Sequence, residues 1–428
     1  MLATVGIIAI LATVSAQAEN NEADSITYTL GEVTVKANPR VTTLKGDALM
    51  TRVAGTQLEH AGTANDVLTQ VPMVLGTDGN FEVFGKGVPA IYVNGRLMQD
   101  VSELAQISSA NIKNVEVMTN PGAKYSASVK AVINITLKAP QGDGFSGVLR
   151  SQGAVQRYFR DTEQLNLKYR TGGLEVFGNF GYFGGKHEDN SAIDMLTRSS
   201  ILWNQVMEQK GHAKIHDFYG KAGFSYLFNA NHSIGAYYTG GFKKTNADYR
   251  GLSHVFADGV PYDQLSVAVN QKGNTMPKHH ANLYYAGLVG RFGTDFNMDY
   301  MWQKKTSDLL NNESSGNFED AQVTSGTTNH SRLFAEKLVL SYPVWNGKVE
   351  FGEEYTSSRF ATDYVTDADL LQSADSRVDE SNIAGFVQIA QRFGLWAVGA
   401  GLRYEHVAFK YLENGHCRDD MSRHYDNL

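Results

Sequence analysis

Beyond Gly144 the chain is written in a period of two. In Gly223-Phe224-Ser225-Tyr226-Leu227-Phe228 the rings of Phe224, Tyr226 and Phe228 fall on one side. The stretch from Ser233 to Phe242 sets Ile234, Ala236, Tyr238 and Phe242 against mostly small or polar groups, and Trp396, Val398, Ala400, Leu402 and Tyr404 alternate with Gly399, Gly401, Arg403 and Glu405. Successive side chains of a strand point to opposite faces, so each stretch predicts a β-strand with one apolar and one polar face. Tight turns are predicted at Thr171-Gly172-Gly173, Asn229 to His232, Phe292-Gly293-Thr294, Trp345-Asn346-Gly347 and Arg392-Phe393-Gly394. They alternate with long polar segments, Glu188 to Gln209, Asn246 to His279, Leu309 to His330 and Thr362 to Glu380, which read as loops.

A soluble barrel or sandwich shares this alternation with its apolar face turned inward. The unequal connections favour the other arrangement, an antiparallel barrel in lipid with short turns at one end and long loops at the other. Counting from Gly144 gives about eleven strands, whereas a closed barrel that holds a plug has about 22. The ending His424-Tyr425-Asp426-Asn427-Leu428 also lacks an apolar, aromatic-terminated strand. The segment 141–428 is therefore expected to be a partial barrel, the first half of a longer one cut in an outer loop.

The region 41–140 is patterned differently, as a small α+β domain. Thr63 can cap a helix through Ala64 to Val71 that Pro72 ends. Gly79 to Gly85 alternates as a strand does, and Pro89-Ala90-Ile91-Tyr92-Val93 runs into Asn94-Gly95, a strong hairpin signal. A second helix fits Ser102 to Ile107. Strands are predicted at Asn114 to Met118 and Ala131 to Leu137, separated by the turn residues Asn120-Pro121-Gly122. Ahead of this domain, Leu30 to Ala37 is a short extended segment rich in β-branched residues.

The first residues carry an apolar run, Leu2 to Val14, followed by Ser15-Ala16-Gln17-Ala18. This predicts a secretory signal peptide, 1–18, cut after Ala18. A transmembrane helix is the alternative, but the run is shorter than the roughly 20 residues that a span requires. Composition agrees with an exported β protein: 42 Gly, 21 Tyr and 21 Phe stand against 8 Pro, and the mean hydropathy is -0.30. A net charge of -7 and a pI near 6.0 argue against a nucleic-acid partner. The single cysteine, Cys417, excludes an internal disulfide.

Four blocks in order carry a resemblance. They are Asp66-Val67-Leu68-Thr69-Gln70-Val71-Pro72; Ile91-Tyr92-Val93-Asn94-Gly95-Arg96; Ile112 through Val117 with Asn120-Pro121-Gly122-Ala123-Lys124-Tyr125; and Ile133-Asn134-Ile135-Thr136-Leu137-Lys138. Together they resemble the plug of TonB-dependent outer-membrane receptors. Lys130-Ala131 stands where that family often has a Gly pair. The resemblance marks Asp66, Leu68, Pro72, Asn94, Gly95, Pro121, Gly122, Tyr125 and Asn134 as plug-motif residues. It also makes Glu32-Val33-Thr34-Val35, in the extension 19–40, similar to a TonB box. Such a box offers unpaired backbone to the edge of a partner sheet; the alternative is a first plug strand.

The implied function is import of a scarce solute, of siderophore, vitamin, peptide or glycan class, across the outer membrane of a Gram-negative cell. The plug would face the periplasm, and the partners would be outer-membrane lipid and a TonB-type energy-transducing protein. Two alternatives differ in kind: a surface binding or assembly protein that does not transport, and a non-functional gene fragment. No enzyme activity, cofactor or metal is expected. His279-His280 is read as lying in a loop and, with His212, His216 and His330, as surface histidines rather than ligands. Gly184-Gly185-Lys186 lacks a phosphate-loop frame, and Tyr237-Tyr238 and Tyr284-Tyr285 are read as sheet faces.

Overall fold

The computed structural model describes residues 41–45, 48–77, 80–98, 101–126, 128–138, 143–229, 231–368, 372–394 and 396–428. The signal-peptide region and Glu32 to Val35 lie outside the described residues. The chain divides into two compact units. Residues 41–121 and 128–138 form the smaller, and residues 122–126 join 143–428 in the larger.

In the smaller unit the strands are β1 (Thr42–Lys45), β2 (Ala48–Arg52), β3 (Val74–Thr77), β4 (Asn80–Val83), β5 (Ala90–Val93), β6 (Arg96–Leu97), β7 (Ile112–Met118) and β8 (Val132–Leu137), with one α-helix, α1 (Ala64–Leu68). Six of them form a sheet in the order β1-β2-β7-β8-β5-β6, parallel only between β5 and β8, while β3 and β4 pair separately. Leu68, Leu104, Ile112, Ile133 and Ile135 are fully buried in its core. Each such side chain contributes about 1.5–3 kcal/mol by leaving water.

Local chemistry sets the connections. Thr63 and Asp66 make a reciprocal capping box: the Thr63 backbone N–H donates to Asp66 Oδ2 at 2.8 Å and the Asp66 N–H donates to Thr63 Oγ1 at 3.5 Å. The helix is shorter than the segment to Val71 because Pro72 disfavours helical backbone in the residue before it. The second helical segment is a 3-10 turn pair, Val101–Gln106. Asn94 and Gly95 take φ of 51° and 79°, the left-handed pair that a tight hairpin needs between β5 and β6.

The larger unit holds eleven long antiparallel strands: β9 (Gly144–Val155), β10 (Phe159–Thr171), β11 (Leu174–Arg198), β12 (Leu202–Asn229), β13 (His232–Ala257), β14 (Val260–Val289), β15 (Phe292–Ser315), β16 (Ala321–Val344), β17 (Gly347–Thr366), β18 (Ala374–Phe393) and β19 (Trp396–Glu413). Two short ones follow, β20 (His416–Cys417) and β21 (Arg423–Asn427), and both pair with β19. Every long strand pairs with the next in sequence.

Three sequence expectations are corrected. The long polar segments are mostly strand: β11 and β12 pair from Leu174↔Tyr226 out to Arg198↔Leu202, and β13 and β14 close at Ala257↔Val260, while Leu309 to His330 and Thr362 to Glu380 keep a connection outside the strands. A polar strand with water on both faces loses the contrast between alternate positions, so the pattern reads as loop while the backbone still pairs. The turn expected at Phe292 to Thr294 lies at Gly290-Arg291, because Gly290 supplies the left-handed φ of 64° and Phe292 already pairs with Val289. His279 and His280 lie within β14, and His280 is buried. The reason is an extra residue near Gly273 that shifts the register between Lys272 and Thr275 and resets which positions share a face.

At the end away from the short turns, Asp263 accepts from Ser315 Oγ at 2.6 Å, from the Gly316 N–H at 2.9 Å and from the Gln264 N–H at 2.7 Å. The Ser315 hydroxyl first, then these backbone donors, hold its carboxyl below the usual carboxylate range.

Two outcomes follow from these turns. Gly95→Val should destabilise the smaller unit by roughly 1–3 kcal/mol, since a β-branched residue is strained at positive φ; a lowered urea midpoint checks it. The Asp263 contribution is fully present above the ordinary carboxylate pKa and is lost as pH falls through its lowered folded value. Gly316 amide exchange, corrected for intrinsic rate, should therefore accelerate in acid, and Asp263→Asn should abolish that pH dependence.

Candidate functional site

The period of two places three lysine or arginine and three glutamate side chains on one face of β16 to β19. Register sets Lys337 opposite Glu354, and Glu354 opposite Ala384, which is opposite Glu405. The next row carries Val339, Gly352, Phe386 and Arg403, and the one after it Ser341, Glu350, Gln388 and Gly401. Arg403, Glu405 and Glu350 are buried.

Their groups are joined. Arg403 Nε donates to Glu405 Oε1, and Arg403 Nη2 lies 3.3 Å from Glu354 Oε2. Lys337 Nζ sits 3.1 Å from that same Glu354 oxygen. Lys348 Nζ reaches Glu350 Oε1 at 2.7 Å, and Gln388 Nε2 donates to Glu350 Oε2 at 2.6 Å. The Phe386 ring lies between the cations, 5.9 Å from Lys337 Nζ and 6.0 Å from Arg403 Cζ. Three positive and three negative groups balance, which is the condition under which buried charge is tolerated.

This network holds the segment 122–126, which belongs to the same unit. Lys337 Nζ donates to the Lys124 carbonyl at 2.7 Å, and the Lys124 N–H donates to Gln388 Oε1 at 3.1 Å. Lys337 thus spends one donor on the segment and one on Glu354. The fit is close: a Cβ on Gly122 would lie 2.9 Å from Gln388 Oε1, and one on Gly401 would lie 2.8 Å from Ala123 Cβ.

A second polar group adjoins on the same face, where Asn297 stands opposite Lys337. Asp299 accepts from Asn282 Nδ2 at 2.8 Å and from Asn297 Nδ2 at 2.7 Å, and lies 2.8 Å from His280 Nε2. The Tyr237 ring meets His280 edge-on at 5.4 Å, and Lys221 Nζ lies over that ring, 4.0 Å from its centre. An open cavity of about 400 Å³ near the short turns is lined by Lys124, Asp295 and Glu350 among others. No group of three or more ligating side chains placed to hold a metal occurs among the described residues.

The motif residues do not converge on one site. Asp66 caps α1 and Leu68 fills the core. Asn94 Oδ1 accepts from the Leu137 N–H at 2.9 Å, and Asn134 Oδ1 accepts from the Gly95 N–H at 3.2 Å, so these two asparagines lock the hairpin to β8. Pro72 follows α1, and Pro121 ends the smaller unit's run. Only Gly122 and Tyr125 lie in the segment the network holds; Lys337 Nζ is 5.8 Å from the Tyr125 ring. Sequence reading had placed Arg403 and Glu405 on the polar face but had not joined them to Lys337, Glu350 and Glu354. The available signal was a charged residue at alternate positions of otherwise apolar strands.

Residues 290–428 match the model of a family described as the outer membrane protein β-barrel family. The large antiparallel sheet, at least over that C-terminal third, is thus similar to outer-membrane barrels. None of the curated proteins matches the chain. Among solved structures, the ferric-catecholate import receptor Fiu of E. coli K12 in its closed form is 11% identical, with a TM-score of 0.36, over 88% of this chain and 77% of that one. The ferric yersiniabactin uptake receptor of Yersinia pestis is 10% identical, with a TM-score of 0.35, over 87% and 76%. The ferric preacinetobactin receptor of Acinetobacter baumannii is 10% identical, with a TM-score of 0.33, over 85% and 75%.

Arg403→Met alone should cost about 3–5 kcal/mol, because it leaves Glu405 buried without its base. The double variant Arg403→Met, Glu405→Leu should recover most of that loss. Thermal midpoints in detergent distinguish the two.

Proposed function

We propose that the chain is part of a TonB-dependent outer-membrane receptor, in which the smaller unit is the plug and the larger sheet is barrel wall. One observation carries the reading: over β11 to β15 the sheet has an uncharged, aromatic-bordered band on one face, and over β16 to β19 it has a buried ionic network on the other. On the band face, β11 runs from Leu174 to Gly184 before Lys186, β12 from Phe228 to Phe218 before His216 and Lys214, β13 from Ile234 to Phe242 before Lys244, and β15 up to Trp302 before Lys304. Roughly 9–11 residues of tilted strand cross a bilayer, and these runs have that length. Glu336 and Glu353 interrupt the band on β16 and β17. The family match over 290–428 supports the same reading.

In this mechanism the strands between the two edges of the sheet, β10 to β18, satisfy their backbone groups in lipid by pairing on both sides. The paired extensions beyond the band form the outward side that captures a scarce solute. Glu32 to Val35 offers its backbone to the edge of a TonB-type partner sheet. A pull on that segment loads the plug, and the chain enters the wall-bound segment directly after Pro121. The hydrogen bonds of Lys337 and Gln388 to Lys124 are then the contacts that must yield before the segment moves. The neutral bond is worth about 0.5–1.5 kcal/mol and the one from the Lys337 ammonium about 1.5–3 kcal/mol, small enough to break and re-form in a transport cycle.

The test is Val33→Pro, which removes one main-chain donor from the proposed box. The variant should reach the outer membrane in normal amount and bind its solute at the cell surface, yet lose accumulation. Undiminished accumulation would overturn the mechanism.

A further inference from the structure

Three lysines stand together at the polar edge of the uncharged band. Lys186 on β11 is directly opposite Lys214 on β12, and Lys244 on β13 is opposite His216, one row below. Like charges facing each other across strands are destabilising, so this arrangement requires a compensating anion. Among the described residues no carboxylate forms an ion pair with any of the three. Acids at neighbouring positions are otherwise placed: Glu188 pairs with Arg157 at 2.7 Å, Asp248 faces His212 at 3.4 Å, Glu163, opposite Tyr182, accepts from Ser151 Oγ at 2.5 Å, and Asp161 stands opposite Gly184 with no ion pair among the described residues. Lys186 Nζ lies over the Tyr158 ring, 4.4 Å from its centre.

The same face offers a contrast. Arg332 stands opposite Arg359 on β16 and β17, but there Arg359 Nε is 2.6 Å from Asp379. One member of that facing pair has a carboxylate partner within the sheet, whereas among the described residues none of the three lysines has one.

What lies next to the lysines identifies the anion. In register below them run Tyr182, Phe218 and Phe242, with Phe218 and Phe242 exposed and the Tyr182 and Phe218 rings 4.6 Å apart. Tyr182 Oη and His216 Nδ1 are hydrogen-bonded at 2.9 Å and fill the step between rings and ammonium groups. An exposed aromatic row directly beneath an uncompensated cationic row matches a molecule with an anionic head and a long apolar tail.

We propose that Lys186, Lys214 and Lys244, with His216, form a binding site for the phosphate-bearing headgroup of a membrane lipid whose acyl chains lie along Tyr182, Phe218 and Phe242. The site rests on the reading of this face as lipid-facing. Free inorganic phosphate has no use for the aromatic row, so it binds weakly.

The test uses the whole chain in vesicles of phosphatidylcholine, with and without phosphatidylglycerol. Flotation reports insertion, and quantitation of the lipid retained on extraction into mild detergent reports the site. The wild type and a charge-matched control, Lys113→Gln, Lys130→Gln, Lys410→Gln, should retain the anionic lipid. The variant Lys186→Gln, Lys214→Gln, Lys244→Gln should bind it on the order of a hundredfold more weakly, and inorganic phosphate should not compete at concentrations that leave vesicles intact. Retention by the triple-lysine variant equal to the wild type, or displacement by phosphate alone, overturns the site. Failure to float with either vesicle overturns the membrane reading beneath it, a result separate from flotation without lipid retention.

Discussion

In-register pairing of consecutive antiparallel strands is the constraint on which the rest of this molecule depends. It satisfies the backbone of β10 to β18 from both sides without borrowing from side chains, and with a period of two it also decides which side chains share a face. A slip of one residue between β16 and β17 would carry Glu354 to the face of Leu338, away from Lys337. The ionic network and the uncharged band are therefore two readings of one register, and neither can shift without the other.

The network illustrates how burial and charge coexist. Arg403 and Glu405 are adjacent on the same strand face, so their mutual compensation is local. Lys337 is different, because it divides its donors between Glu354 and the Lys124 carbonyl. A structural ion pair alone would need only the first. The second makes the position of residues 122–126 part of the charge balance, which is how a segment distant in sequence becomes coupled to the sheet.

In the smaller unit, the residues that resemble a family motif are mostly scaffold. Asn94 and Asn134 exchange side-chain hydrogen bonds with backbone on each other's strands, and Asp66 closes a helix end. Such residues serve the fold through an acceptor oxygen held at one reach from the backbone. Chemical function is not required to explain them. Gly122 and Tyr125 are the exceptions, since they belong to the segment that the large sheet holds.

The sequence by itself determined the strands whose two faces differ. The alternation of Trp396 to Tyr404 with Gly399 to Glu405 could be read directly, as could the Asn94-Gly95 hairpin and the Thr63 cap, because each rests on residues at fixed short spacings. Only the tertiary structure decided the rest. The long polar segments gave no contrast between faces, so their pairing out to Arg198 and Ala257 was visible only once their partners were aligned. The extra residue near Gly273 changed the phase of β14 and buried His280 beside Asp299, an offset that pattern cannot register. The joining of Lys124, Lys337 and Glu354 was equally hidden, because contacts between residues far apart in sequence leave no periodic trace.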